Sequence, residues 1–171
     1  MPNQITPIHF VSTDKSLLNL ELIHSFLTQS YWSKGIPKDT VKKAIDNSFC
    51  FGLYHQSESL DKTPKQIGFA RTITDHTTFA YLADVFVLPE HQGKGLGQFM
   101  MNEIMNHPEL QGLRRMMLAT QDAHSLYEKF GFTQLDKPER FMHKHVAGIY
   151  QQTSTSFNHQ SSCADSTNCS F

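Results

Sequence analysis

Three glycines at alternate positions, Gly93, Gly95 and Gly97 in the stretch EHQGKGLGQF, stand between a strand-like run, ADVFVLP, and a helix-like run, GQFMMNEIM. A helix N-terminus offers unpaired backbone N–H groups and a partial positive charge, and together these bind phosphate. Removing side chains ahead of it lets a bulky anion reach the main chain, and Lys94 adds a mobile cation. The same glycines would also serve a tight turn that needs φ > 0. Their place after a long apolar strand and before an amphipathic helix favours the phosphate reading. Two other phosphate loops fail on spacing. Gln98 stands where a dinucleotide fingerprint needs its third glycine, and Gly95 is followed by Leu96 where a mononucleotide loop needs lysine.

The elements that must position this loop follow from the periodicity. PIHFVS over 7–12 predicts a short strand, and Ser12 to Ser16 supply helix caps ahead of LLNLELIHSFL, whose apolar positions fit a helical period. Gly35 breaks the chain, Pro37 suits a first helical turn, and DTVKKAID continues as a short helix. Three strands are expected in SFCFGLYH, QIGFARTIT and TFAYLADVFVLP, with QSESLDKTPK as a hairpin loop between the first two. After the glycines come a helix, GQFMMNEIMNH, ended by Pro108, then a strand, RRMMLAT, and a helix, DAHSLYEKFG, closed by Gly131. A last extended stretch, FTQLD and ERFMHKHV, completes the set. The order predicts an α/β fold, a mixed sheet with helices on both faces.

Composition bounds the function. The 171 residues, 39% of them hydrophobic, suit one compact unit, and a formal charge of -1 gives no uniform positive field to draw the molecule to nucleic acid or an anionic membrane. No run approaches the ~18 apolar residues of a membrane span, and the N-terminus lacks a basic segment followed by an apolar one, so a cytoplasmic protein is expected. Cys50 lies in an apolar run and Cys163 and Cys169 in a polar one, which is neither a disulfide framework nor a zinc motif. From residue 147 Ser, Thr, Gln and Asn dominate, so a domain over 1–146 and a disordered tail over 147–171 are expected. Met100, Met101, Met105, Met116 and Met117 read as core. His143 and His145 lack a third ligand, and no metal is expected.

The loop residues resemble the GNAT superfamily of acetyl-coenzyme A dependent N-acetyltransferases. Gln92-Gly93-Lys94-Gly95-Leu96-Gly97 is similar to that family's Gln/Arg-x-x-Gly-x-Gly/Ala loop, and VFVLPEHQGKGLG to its order of strand, proline and loop. AHSLYEKFGF is similar to a second hallmark, a helix bearing Leu-Tyr-Glu-Lys and ending in Gly-Phe. The resemblance covers residues 7 to 145. It implies a largely antiparallel central sheet with one splayed pair of parallel strands, around 80–88 and 114–120, and acetyl-CoA as the co-substrate. Its diphosphate would sit on the N–H groups of residues 92 to 97. Its pantetheine arm would pair like an added strand with Val85, Phe86 and Val87, one N–H serving as an oxyanion donor.

Acetyl transfer needs a neutral amine, whereas an alkylammonium near pKa ~10.4 is protonated at neutral pH. A base, often reached through water, is therefore expected, and an acid near the departing sulfur. By resemblance Tyr127 is that acid, the alternative being a core tyrosine. Asp84, among Leu82, Ala83, Val85 and Phe86, is a candidate base if desolvation raises its pKa, or else a structural aspartate. The family often has glutamate in this strand. Asp75, His76 and His124 are weaker candidates, explained by a polar turn or an exposed helix start. The acceptor pocket implied by the family draws on Tyr31, Trp32, Phe51, Arg71 and Tyr81. The aromatic pair would cap an apolar or cationic acceptor or staple two helices, and Arg71 would bind a carboxylate or lie in solvent. The expected reaction is transfer to a primary amine of a small molecule in a ternary complex, with no nucleic-acid or membrane partner; dimers are common in the family, so a homodimer stays open. The alternatives are a protein N-acetyltransferase and a coenzyme A binding sensor or interaction module without catalysis.

Overall fold

The computed structural model describes residues 8–56 and 63–151. Among these residues five strands, β1 (Ile8–Ser12), β2 (Phe49–Gln56), β3 (Lys65–Thr74), β4 (Phe79–Val87) and β5 (Arg115–Met117), form one sheet in the order of the chain. The first four pair antiparallel and β4 pairs parallel with β5. Four α-helices of the described residues accompany them: α1 (Leu20–Leu27), α2 (Lys38–Asp46), α3 (Leu96–Met105) and α4 (His124–Glu128). This is the mixed α/β sheet that the element order predicts, with helices on both faces.

The two faces carry separate cores. Ile23 and Leu27 of α1, and Val41 and Ile45 of α2, lie four residues apart on one side of each helix and bury against Cys50, Phe69 and Phe86. On the opposite face Met100, Met101 and Ile104 of α3 pack on Phe51, Leu53, Ala70 and Leu82. Met100 and Met101 are fully buried, as a core reading of the methionines requires. Asn19 caps α1 by accepting from Leu22 N at 3.0 Å, while its own N–H donates to Gln66 Oε1 at 2.7 Å. The start of α1 is thereby fixed to β3. Tyr150 packs on the same α1/α2 core, beside Gly35.

Several expectations at the C-terminal end need correction. The strand expected over RRMMLAT pairs only at Arg115–Met117, and the helix expected over DAHSLYEKFG spans His124–Glu128. FTQLD and ERFMHKHV form no strand. A strand needs a ladder partner and a face to bury. Here Pro138 opens a 3-10 turn over Pro138–Arg140, and the residues that follow are exposed, Met142 at 98%. Of the expected hairpin loop, residues 57–62 lie outside the described residues, as do residues 1–7 and the tail from 152 on.

Candidate active site

The loop end of the candidate site is built from main chain. Gly95 is the N-cap of α3 at φ 75°, and Gly93 has φ 74°, both left-handed values natural to glycine. No side chain caps the helix. A Cβ added at Gly93 or Gly95 would meet nothing within 4 Å, so open space fronts the unpaired N–H groups of the first turn. Leu96 is buried in the α3 core and anchors that turn. Gln92 serves differently from the glycines. Its N–H donates to Pro89 O at 3.2 Å and its side-chain Nε2 to Val87 O at 2.9 Å, which ties the loop to the end of β4. Lys94 Nζ donates to Glu90 O at 2.9 Å.

From this loop β4 leads to a cleft. Its parallel pairing with β5 stops at Tyr81–Met117, so among the described residues no strand lies beside that edge from Leu82 to Val87. This is the splayed pair. Against β3, the register steps from Phe69–Phe86 to Arg71–Ala83, which sets Asp84 and Val85 against Ala70 alone. That is a β-bulge, and it re-aims side chains. Asp84 takes φ 54°, a left-handed value that aspartate tolerates better than most residues. Phe86 and Val87 bury their side chains, Phe86 stacked on Phe26 with centroids 3.8 Å apart, so only their backbone remains to face a ligand.

The cleft, of about 460 Å³, lies between the β4 edge and the segment from Leu118 to Ala123, and Tyr31, Trp32, Arg71, Tyr81, Asp84, Val85 and Tyr127 all line it. Residues far apart in sequence therefore converge. Tyr127 is 8% exposed, with its ring edge-on to Phe132. Burial first, then the charges of Tyr31 and Asp122, pushes its phenol up to about 12. It is neutral at physiological pH and able to donate a hydrogen bond. Thr120 Oγ1 accepts from Ala123 N at 3.1 Å, which fixes the turn that enters α4.

At the other end the polar side chains hold one another. Arg71 Nε donates to Asp84 Oδ2 at 2.5 Å and Arg71 Nη1 to Ser48 Oγ at 3.2 Å. Trp32 Nε1 donates to Asp84 Oδ1 at 3.2 Å, and Gln121 N donates to Tyr31 Oη at 3.1 Å across the cleft. The fork expected to meet an acceptor carboxylate is turned onto the protein's own. Asp84, expected as a desolvated base, has a hydrogen bond on each oxygen.

The weaker candidates lie off this cleft. Asp75 Oδ1 accepts from the N–H groups of Thr77, Thr78 and Phe79 and Oδ2 from the Thr78 hydroxyl, a turn-holding role that keeps its carboxyl well below the usual range. His76 at φ 60° sits 3.4 Å from Glu109. His124 lines a neighbouring cleft that shares Tyr127. Ser48, Gln121 and Asp122 were missed by sequence reasoning. No spacing signals them, although an aspartate inside an apolar strand run is itself a hint of a bulge.

Comparison with known proteins agrees with this geometry. A family model described as an acetyltransferase (GNAT) domain matches residues 46–134. A protein of Gibberella zeae that carries an acetyltransferase name is 41% identical over 137 residues, spanning 71% of this chain and 76% of that one. A solved GNAT-family protein of Xanthomonas campestris pv. campestris superposes with a TM-score of 0.77 at 50% identity, over 85% of this chain and 98% of that one. A protein of Clostridium acetobutylicum, described as a predicted acetyltransferase and solved with acetyl-CoA, shares the fold at 12% identity, with a TM-score of 0.57 over 82% of this chain and 96% of that one. The chain belongs to the GNAT acetyltransferase family.

Proposed function

We propose that this chain moves the acetyl group of acetyl-CoA to the primary amine of a small molecule, by direct attack with both held together. One observation carries the reading: the edge of β4 that β5 leaves unpaired lines the cleft holding Tyr127 from Leu82 to Val85, and the strand then leads into the uncapped, glycine-fronted start of α3. The donor supplies an activated thioester. The N–H groups of residues 93–97 hold its diphosphate, and Gln92 keeps their loop on β4. The backbone of Val85, Phe86 and Val87 pairs with its amide-bearing arm as with an added strand, and an N–H on that edge stabilises charge on the carbonyl oxygen.

Tyr127 donates a hydrogen bond to the departing sulfur. A thiol near ~8.5 is a stronger acid than a phenol raised to about 12, so the hydroxyl stabilises the thiolate without giving up its proton outright. Asp84 takes the acceptor's proton through a water. Each of its oxygens accepts one hydrogen bond and keeps a second lone pair for that relay.

The test is release of free thiol from acetyl-CoA across a panel of amines and peptides. Release that depends on one small amine, with kcat lowered ~10²-fold in Tyr127→Phe and donor affinity kept, is expected. Tight donor binding without release on any acceptor would leave a coenzyme A binding module, and release on peptides alone would make the acceptor a protein.

A further inference from the structure

The acceptor cleft is unbalanced in charge. Among its lining residues Arg71 is the one cation, and Asp84 and Asp122 are both carboxylates. Arg71 and Asp84 neutralise each other. Asp122 is in no ion pair among the described residues, so one net negative charge remains. An ammonium is attracted there and a carboxylate repelled. A carboxylate would also have to share its cation, because Arg71 already gives Nε to Asp84 and Nη1 to Ser48.

The aromatic pair adds a second constraint. Tyr31 and Trp32 are 55% and 43% exposed, yet the polar edge of each is tied down, Trp32 to Asp84 and Tyr31 to Gln121. Their rings stand edge to face at 4.9 Å, so apolar surface is presented to solvent in a fixed orientation. The same two residues line a second, apolar groove of about 410 Å³, whose other wall includes Leu22, Phe26 and Leu88. Phe26 is stacked on buried Phe86, which makes that wall rigid.

We propose that the acceptors are amines lacking a carboxylate, whose aromatic or alkyl tail crosses the Tyr31–Trp32 pair into this groove; which end of the ligand reacts rests on the acetyl-transfer reading. Charge selects the amine end, and continuous apolar surface selects the tail. An α-amino acid with the same side chain is rejected by its carboxylate.

Trp32 is the only tryptophan in the chain, so its emission reports this cleft directly and independently of turnover. The full chain is titrated with phenethylamine against L-phenylalanine, and with octylamine against butylamine. Phenethylamine is expected to bind at least ~10-fold tighter than L-phenylalanine, and octylamine at least ~10-fold tighter than butylamine. Phe26→Ala, with its fold checked by a melting transition, shrinks the octyl-to-butyl ratio severalfold; Leu22→Ser replaces it if the first variant does not fold. Equal or tighter binding of L-phenylalanine, a chain-length ratio near one, or no saturable change with any ligand overturns the proposal. Competition of free coenzyme A with octylamine does so too, since the groove would then belong to the donor. Amines that bind as expected but are never acetylated leave this proposal standing and sink the acetyl-transfer reading.

Discussion

The two ends of the cleft recognise by different means. At the loop end, glycines withdraw side chains and leave backbone N–H groups facing open space. At the other end, the proposed acceptor side, Asp84, Arg71, Trp32 and Ser48 are bound to one another, and Tyr31 is bound to the segment across from it. A site made of main chain changes only when backbone conformation or access changes. A site made of interlocked side chains is lost piece by piece, and each loss leaves a partner stranded. The first kind suits a co-substrate shared by a family and the second an acceptor particular to one member.

The sharpest way to break this contrast is Gly95→Asp. It forces a left-handed φ on a residue with a side chain and sets a carboxylate before the helix start, and donor affinity measured by calorimetry is expected to fall more than ~100-fold. Unchanged affinity would refute the main-chain half. Next is Arg71→Met, which leaves the largely buried Asp84 carboxylate without its cation. Denaturant unfolding is expected to show a loss of about 3 kcal/mol, and Arg71→Met with Asp84→Asn should recover part of it.

A third test uses pH. Burial raises the phenols of Tyr127 and Tyr54 to about 12, above the ~10 of an unfolded tyrosine. The unfolded chain therefore ionises first, and stability is full below pH ~10 and lost as pH rises from there towards 12, on the order of 2 kcal/mol for each group. Melting scans across that range should show the fall, and Tyr127→Phe should reduce it. The smallest effect is expected for Lys94→Ala. Its exposed ammonium rests on Glu90 O, so donor affinity should fall only a fewfold, and less at high salt.

What could be read from the sequence divides along the same line. The glycine loop was legible because conformational freedom and the lack of a side chain are properties of residue type, and the helices because Ile23 and Leu27, or Val41 and Ile45, sit at helical spacing. The acceptor network was not, because its bonds join Trp32 to Asp84, Arg71 to Ser48 and Gln121 to Tyr31 across distant segments. The residues gathered on the cleft were suggested by family likeness, while their mutual bonds came only with the fold. The bulge that turns Asp84 depends on register with β3, which no local pattern encodes. The missing last strand has a related cause: alternation in ERFMHKHV describes what a segment could bury, and no neighbouring strand is there to bury it.

Tyr150 has a practical consequence. It leans on the hydrophobic cluster beneath the turn that carries Tyr31 and Trp32, although composition alone would place it in a disordered, serine-rich tail. Trimming the chain at the compositional boundary would remove a prop from under that turn. On the reading proposed above, the shortened chain is expected to lose discrimination among acceptors and to keep its hold on the donor.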